Sequence, residues 1–128
     1  MNLLIDTHLL LWAAAEPARL PDAARQAILE PANALHFSVA SLWEVAIKRA
    51  LDRTDFRVDP GPLRAGLVAG GYLELPVEGR HVLALATLPR HHADPFDRML
   101  IAQTATEGMV LLTADHALDA YGGPVRRV

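Results

Sequence analysis

Four acidic residues of this sequence lie beside short apolar segments, at predicted strand ends or helix starts. They are Asp6, Glu44, Asp97 and Asp115. Each alone has a structural explanation, because an acidic group near a helix N-terminus stabilises the helix by about 0.3–1 kcal/mol. As a group, the four acids indicate a functional site. Clustered carboxylates repel one another unless a cation lies between them, and Mg²⁺ and Mn²⁺ prefer oxygen ligands. Such sites carry out phosphoryl chemistry, in which a metal-bound water attacks phosphorus.

The segment DPFDRMLIAQ at 94–103 has the clearest helix start in the chain. Asp94 is a good N-cap, because its carboxylate can accept a hydrogen bond from a free backbone N–H of the first turn. Pro95 fits the first helical position, where a missing N–H costs nothing. Asp97 then stands in the first turn, directly before apolar residues. We therefore predict that Asp94 caps the helix and that Asp97 belongs to the metal site.

Short apolar segments alternate with helical patterns along the chain. The predicted strands are residues 2–5, 35–39, 72–75 and 109–112, with a fifth, edge strand at 125–128. The predicted helices are residues 7–15, 22–30, 42–51, 63–69, 78–88 and 95–107, followed by a short helix before Gly122. Apolar strands that alternate with helices indicate a parallel sheet covered on both faces. The sequence thus predicts one α/β domain over residues 1–128, a three-layer α/β/α sandwich with a short, mainly parallel central sheet.

Ligands of such sheets bind beyond the carboxyl ends of the strands. Asp6 directly follows the first predicted strand, and Asp115 follows the fourth. Ser41 and Glu44 have the spacing of a capping box, which places Glu44 in the first turn of the helix after the second strand. Asp97 lies on the helix that leads into the fourth strand, so topology alone does not place it at this edge.

The bulk composition limits the classes of protein that the chain can represent. Its 128 residues, 52% of them hydrophobic, suffice for one domain with a core and are too few for two. A net charge of -3 does not fit a protein that binds nucleic acid through bulk positive charge. No apolar run approaches the roughly 20 residues of a membrane span, no signal peptide is recognisable, and cysteine is absent. We expect a cytoplasmic protein without a membrane partner.

The histidines and tryptophans have structural explanations. None of the six histidines shows a zinc-binding spacing such as H-E-x-x-H. His91 and His92 are adjacent between two predicted helices, and we expect both in an exposed loop. Trp12 and Trp43 stand among apolar neighbours on predicted helices, so core packing is the default expectation and a protein interface is the alternative.

Four segments of the chain resemble the motifs of PIN-domain ribonucleases, in particular those of the VapC toxins of bacterial toxin–antitoxin modules. They are LLIDTH at 3–8, SVASLWE at 38–44, DPFDR at 94–98 with LIAQ at 100–103, and LTAD at 112–115. The segments occur in the family order and span nearly the whole chain. One such segment alone is weak, but the four together are specific.

The resemblance implies a small α/β sandwich whose parallel sheet gathers three or four acids around Mg²⁺ or Mn²⁺. Asp6, Glu44 and Asp97 match the three near-invariant acids of the family, and Asp115 matches a fourth, more variable one. Metal binding and catalysis would fall to these four residues. The resemblance also implies endonucleolytic cleavage of RNA, a homodimer, and inhibition by a small VapB-like antitoxin encoded alongside.

Three further side chains lie near these motifs. Lys48 follows Glu44 by four positions, so we expect an ion pair on one helix face, with a contact to RNA phosphate as the alternative. Arg98 should form a structural ion pair or contact a partner. Thr113 either bonds a metal-bound water or caps the turn before Asp115.

Other functions fit the sequence less well than a metal-dependent endoribonuclease with the character of a toxin. A catalytically weak PIN-fold binding module that acts through protein partners is the main alternative, but the presence of all four acids argues against it. A haloacid-dehalogenase-type phosphatase needs a second Asp at position 8, where this chain has His8. A receiver domain needs paired acids after the first strand, and Asp6 has no such pair.

Overall fold

A five-stranded sheet forms the centre of the protein in a computed structural model that describes residues 1–128. The strands are β1 (Asn2–Ile5), β2 (Ala34–Ser38), β3 (Leu73–Leu75), β4 (Val110–Thr113) and β5 (Val125–Arg127). Their order is β3-β2-β1-β4-β5, and every neighbouring pair is parallel. The sheet predicted as mainly parallel is therefore entirely parallel, and the predicted fifth strand lies at its edge.

Helices cover both faces of the sheet. They are α1 (Thr7–Ala15), α2 (Asp22–Leu29), α3 (Val39–Ala50), α4 (Pro60–Ala69), α5 (Gly79–Leu85) and α6 (Pro95–Glu107), with short 3-10 helices at Pro17–Arg19 and His116–Tyr121. Buried residues of α1 to α4 share one core with the sheet, whereas α6 contributes to a second core and packs against α5. This arrangement confirms the three-layer α/β/α prediction. None of these helices combines the length and apolar character needed to cross a membrane.

The central strand β1 joins the two cores and delivers the first acid to the sheet edge. Leu3 and Ile5 belong to one core and Leu4 to the other, because successive side chains of a strand face opposite sides. The chain leaves the sheet at Asp6, whose backbone N–H still donates to the Leu112 carbonyl of β4 at 3.0 Å. Asp6 is thereby fixed beside the carboxyl end of β4.

The helix after β2 begins earlier than predicted. Ser38, not Ser41, is the N-cap, and its Oγ accepts a hydrogen bond from the backbone N–H of Ala40 at 3.0 Å. Ser41 lies inside α3, where its Oγ accepts from the Thr7 hydroxyl at 2.8 Å. The capping-box prediction was therefore wrong, and Glu44 lies in the second turn of α3 rather than the first.

Two other helix boundaries differ from the predicted ones for local reasons. α4 begins at Pro60 instead of residue 63, because the Asp59 carboxylate accepts from the Gly61 N–H and caps the helix. α5 ends at Leu85 instead of residue 88, since the next three residues continue only as tight turns before Pro89. By contrast, α6 has the predicted bounds, with Asp94 at the N-cap and the left-handed Gly108 at its end.

Candidate active site

A cleft of about 440 Å³ lies at the carboxyl edge of the sheet and receives all four predicted acids. Asp6, Glu44, Asp97 and Asp115 all line it. The expectation that these side chains converge in one cleft is thus confirmed, while their roles as metal ligands stay a prediction. Asp55 and Asp94 add two further carboxylates, and Lys48 and Arg19 bring the opposite charge.

Asp6 is held rigidly between two elements. Its Oδ1 accepts from the backbone N–H of His8 at 2.8 Å, as the N-cap of α1. Its Oδ2 accepts from the Thr113 hydroxyl at the end of β4, at 2.6 Å. Burial raises the pKa of Asp6 above its usual range, although the hydrogen bonds from Thr113 and His8 oppose that rise.

Glu44 reaches the cleft from the second turn of α3 and is buried. Its Oε2 accepts from the Lys48 ammonium at 2.6 Å. Its Oε1 is also buried but has no hydrogen-bond partner. Leaving a buried acceptor unsatisfied costs about 1–3 kcal/mol, and more for a charged group, so a cation that binds this oxygen would remove the cost. The donor set of the cleft therefore fits an oxygen-liganded metal ion.

Lys48 is the positive charge closest to Glu44. The predicted i,i+4 ion pair is present, and the structure adds Asp94, whose Oδ2 lies 3.6 Å from the ammonium. The ammonium also lies 4.8 Å from the centre of the Phe56 ring and 5.6 Å from that of Phe96. Burial works against a high pKa of Lys48, but the hydrogen bond and charge of Glu44, with Asp94, raise that pKa above its usual value.

Asp97 enters the cleft from the first turn of α6. Its side chain is only 16% exposed, and its Oδ2 lies 2.8 Å from Nε2 of His92. Burial, followed by repulsion from Asp6 and Asp94, raises the pKa of Asp97 to about 7. Asp94 itself accepts from the backbone N–H groups of Phe96 and Asp97, which confirms it as the helix cap.

Asp115 lies at the exposed rim of the cleft. Its Oδ1 accepts from the Ala117 N–H and caps the following 3-10 helix. Its backbone N–H donates to the Thr113 hydroxyl oxygen at 3.1 Å. Thr113 therefore caps the turn, as one of its two predicted roles required, and also holds Asp6.

The structure corrects what was expected of three side chains near the cleft. His92 lines the cleft instead of standing in an exposed loop, and its place shortly before the Asp94 cap is the sequence feature that could have indicated this. Trp43 is 61% exposed and packs edge-on against Phe96 rather than in the core. For Arg98, the ion pair is absent, while the alternative, contact with a partner, stays a prediction. Arg98 donates to the Leu85 and Pro89 carbonyls and the Tyr121 hydroxyl, which fixes the segment before α6.

Residues 3–124 match the PIN domain family. The chain belongs to the PIN-domain family. Across 126 residues, this PIN domain is 30% identical to ribonuclease VapC22 of Mycobacterium tuberculosis, covering 96% of this chain and 94% of that relative. The family expected from the four sequence segments is thereby confirmed.

Solved structures confirm the fold of this PIN domain. VapBC2 from Rickettsia felis, bound to a DNA fragment from its promoter, matches 99% of this chain and 98% of its own with a TM-score of 0.73 and 12% identity. VapC20 of Mycobacterium tuberculosis, described as a sarcin-ricin loop cleaving toxin, matches 94% of this chain and 95% of its own with a TM-score of 0.62 and 20% identity.

Proposed function

We propose that this PIN domain is a divalent-metal-dependent endoribonuclease and the toxin of a VapBC-type toxin–antitoxin module. The observation that carries the proposal is the convergence of Asp6, Glu44 and Asp97 on one cleft, with a buried Glu44 oxygen that has no partner in the chain. Similarity to a relative named as a ribonuclease supports the same activity.

The four acids are the residues that would hold Mg²⁺ or Mn²⁺, with Asp115 at the rim. When bound, such an ion supplies an activated water for attack on phosphorus and neutralises charge at the leaving oxygen. The chain supplies the orientation of its own ligands. The Thr113 hydroxyl fixes the Asp6 carboxylate by a hydrogen bond. Lys48 binds one oxygen of Glu44, and the other oxygen has no hydrogen-bond partner within the chain.

Positive groups for an RNA backbone lie next to the acids. A second cavity of about 570 Å³ is lined by Arg90, His91, His92, Ala93 and Arg98, and it shares His92 with the acidic cleft. A chain with net charge -3 must bind RNA through a local patch, because phosphate contacts need cationic side chains. We assign to this cavity the nucleotides that flank the cleaved bond.

Partner surfaces are available on α3. Trp43 and Ile47 of α3 and Leu51, the C-cap that follows it, recur every four residues on one side and are all exposed. Clusters of this kind mark protein interaction sites. Because several similar structures are VapBC complexes, we assign this apolar stripe to a small VapB-like antitoxin, and we propose that the chain is also a homodimer.

Cleavage of a fluorescently labelled, structured RNA by the purified full chain tests the activity. We expect cleavage with Mg²⁺ or Mn²⁺, none with EDTA, and none for Glu44→Gln purified in parallel. Asp59→Asn is the matched control, because it is also an acid-to-amide change but its residue caps α4 outside the cleft. Metal-independent cleavage, or equal activity of the Glu44 variant, would contradict the proposed metal site. Absence of cleavage by the wild-type chain with either metal would favour a binding module.

A further inference from the structure

The rim of the acidic cleft contains a nitrogen ligand that the four-acid pattern does not include. His92, Asp97 and Asp115 each place one ligand atom within 4.8 Å of the others. All three side chains line the same cleft. We propose that His92 ligates a metal ion together with Asp97 and Asp115, and that this imidazole favours Mn²⁺ over Mg²⁺. The inference rests on the proposed metal dependence and adds a ligand and a metal preference to it.

The spacing of His92 and Asp97 suits two ligands of one ion. Adjacent ligands of an octahedral ion with bonds of about 2.1 Å lie about 3 Å apart. The Nε2 atom of His92 and Oδ2 of Asp97 are 2.8 Å apart. A metal ion could therefore replace the proton that now joins these two atoms, with little movement of either side chain.

Charge and hydrogen bonding in the cleft point to a cation. Six carboxylates line it, from Asp6, Glu44, Asp55, Asp94, Asp97 and Asp115, whereas Lys48 and Arg19 are the residues with permanent positive charge. One of these six, Glu44, is also buried, and its Oε1 has no hydrogen-bond partner. The cleft thus holds more ligand oxygens than its own cations satisfy.

A second group, which also contains one histidine and two carboxylates, shows why His92 differs from an ordinary structural histidine. Glu78, His81 and Glu107 also lie within 4.8 Å of one another. There, however, Nδ1 of His81 accepts from the Glu78 backbone N–H, and Nε2 donates to Glu107, which Arg80 also contacts. Both ring nitrogens are already used and the acid already has a cation, so this group needs no metal.

The metal preference follows from the ligand type. Imidazole is a better ligand for transition metals than for Mg²⁺, which dehydrates reluctantly and retains oxygen ligands. An all-carboxylate site would discriminate little between Mn²⁺ and Mg²⁺. With His92 as a ligand, Mn²⁺ should bind more tightly than Mg²⁺, and removal of the imidazole should reduce that difference.

Pulsed electron paramagnetic resonance of the full chain loaded with Mn²⁺ tests the ligand directly. We expect nitrogen modulation of the Mn²⁺ echo in the wild type and in His91→Ala, and its loss in His92→Ala. His91 is the matched control, because it packs edge-on against Tyr121 and does not line the cleft. His92→Gln is a second variant, which can still donate a hydrogen bond to Asp97 and so preserves the fold.

Metal-dependent melting gives a second measurement that does not depend on activity. His92→Gln should weaken Mn²⁺ binding by about tenfold or more, with a much smaller effect on Mg²⁺. Bound Mn²⁺ without nitrogen modulation, or equal weakening of both metals, would overturn the inference and leave the proposed metal-dependent function standing. If neither ion binds the wild-type chain, the proposed function itself fails.

Discussion

The Lys48 ammonium lies 2.6 Å from Oε2 of Glu44, while Oε1 of the same buried carboxylate has no hydrogen-bond partner. The chain's single lysine therefore pairs with one oxygen of this carboxylate. The other oxygen remains available to a bound cation. This pair links the stability of the fold to the chemistry of the cleft.

Removal of the Lys48 charge should destabilise the folded protein, because it leaves the buried Glu44 carboxylate without a cation. Lys48→Met leaves Glu44 without its partner, and such a loss destabilises a protein by up to about 3–5 kcal/mol. Thermal unfolding in EDTA should show a clearly lower Tm. Lys48→Met combined with Glu44→Gln should recover much of the loss, because no uncompensated charge is then left. An unchanged Tm for the single variant would mean that the pair does not stabilise the fold.

Asp97 should destabilise the metal-free protein at neutral pH. Its folded-state pKa is raised from 3.8 to about 7, so the unfolded chain ionises first as pH increases. Asp97 therefore does not change the free energy of unfolding below about pH 4, and it lowers that free energy as pH rises towards 7. Asp97→Asn removes this penalty and should raise the Tm in EDTA at pH 7 by a few degrees, for about 1 kcal/mol.

The same variant has a built-in comparison. At pH values below about 4 its Tm should match that of the wild type, because Asp97 is then neutral in both states. With Mn²⁺ present the order should reverse, since the variant lacks a ligand and gains less stability from the metal. A lower Tm of Asp97→Asn in EDTA at pH 7 would identify Asp97 as a structural residue.

Asp6 and Asp94 both cap helices, but their replacement should affect cleavage differently. Asp6→Asn should abolish RNA cleavage, because a neutral amide cannot replace a charged metal ligand. Asp94→Asn should retain most activity, because Asn is also a good N-cap for α6. Rates of cleavage at saturating Mg²⁺ provide the measurement. Equal losses would show that the roles of Asp94 and the metal-site acids were assigned wrongly.

Arg90 should contribute to RNA affinity rather than to metal binding. Arg90→Ala removes one cation from the cavity beside the cleft, so RNA binding should weaken and depend less steeply on salt. The slope of log K against log salt concentration should fall in magnitude by about 0.7 for one lost phosphate contact with single-stranded RNA. Arg126→Ala, at an arginine that lines neither cavity, is the control. An identical slope for both variants would exclude Arg90 from the RNA site.

Trp43 should matter for partner binding more than for folding. Trp43→Ala removes a largely exposed ring from the α3 stripe, so the Tm should change little. If the ring is an interface anchor, antitoxin affinity should fall by more than about 2 kcal/mol, roughly thirtyfold. Leu29→Ala is a control on α2 with comparable exposure. Equal antitoxin affinity of the two variants and the wild type would place the interface elsewhere.

The sequence by itself determined the features that depend on short stretches of chain. The continuous apolar run of Leu3, Leu4 and Ile5 predicted a strand buried on both faces, and Asp6 follows it at the sheet edge. Asp94 and Pro95 predicted the start of α6 to the residue. These predictions succeeded because caps and strand ends act on their immediate neighbours. The predicted start of α3 was wrong because Ser38 and Ser41 are both suitable caps. The end of β2 at Ser38 selects between them.

Only the tertiary structure decided what meets across the cleft. The position of Asp97 depends on how Leu100 and Ile101 of α6 pack against the sheet, which no local pattern specifies. The same packing brings Asp94 to Lys48 and, with Arg98 holding the preceding segment, brings His92 to Asp97. These contacts join residues from separate elements. Their geometry comes from burial of apolar surface over the whole sheet. Because the hydrophobic effect is non-directional, the sequence pattern does not specify which residues of different elements come into contact.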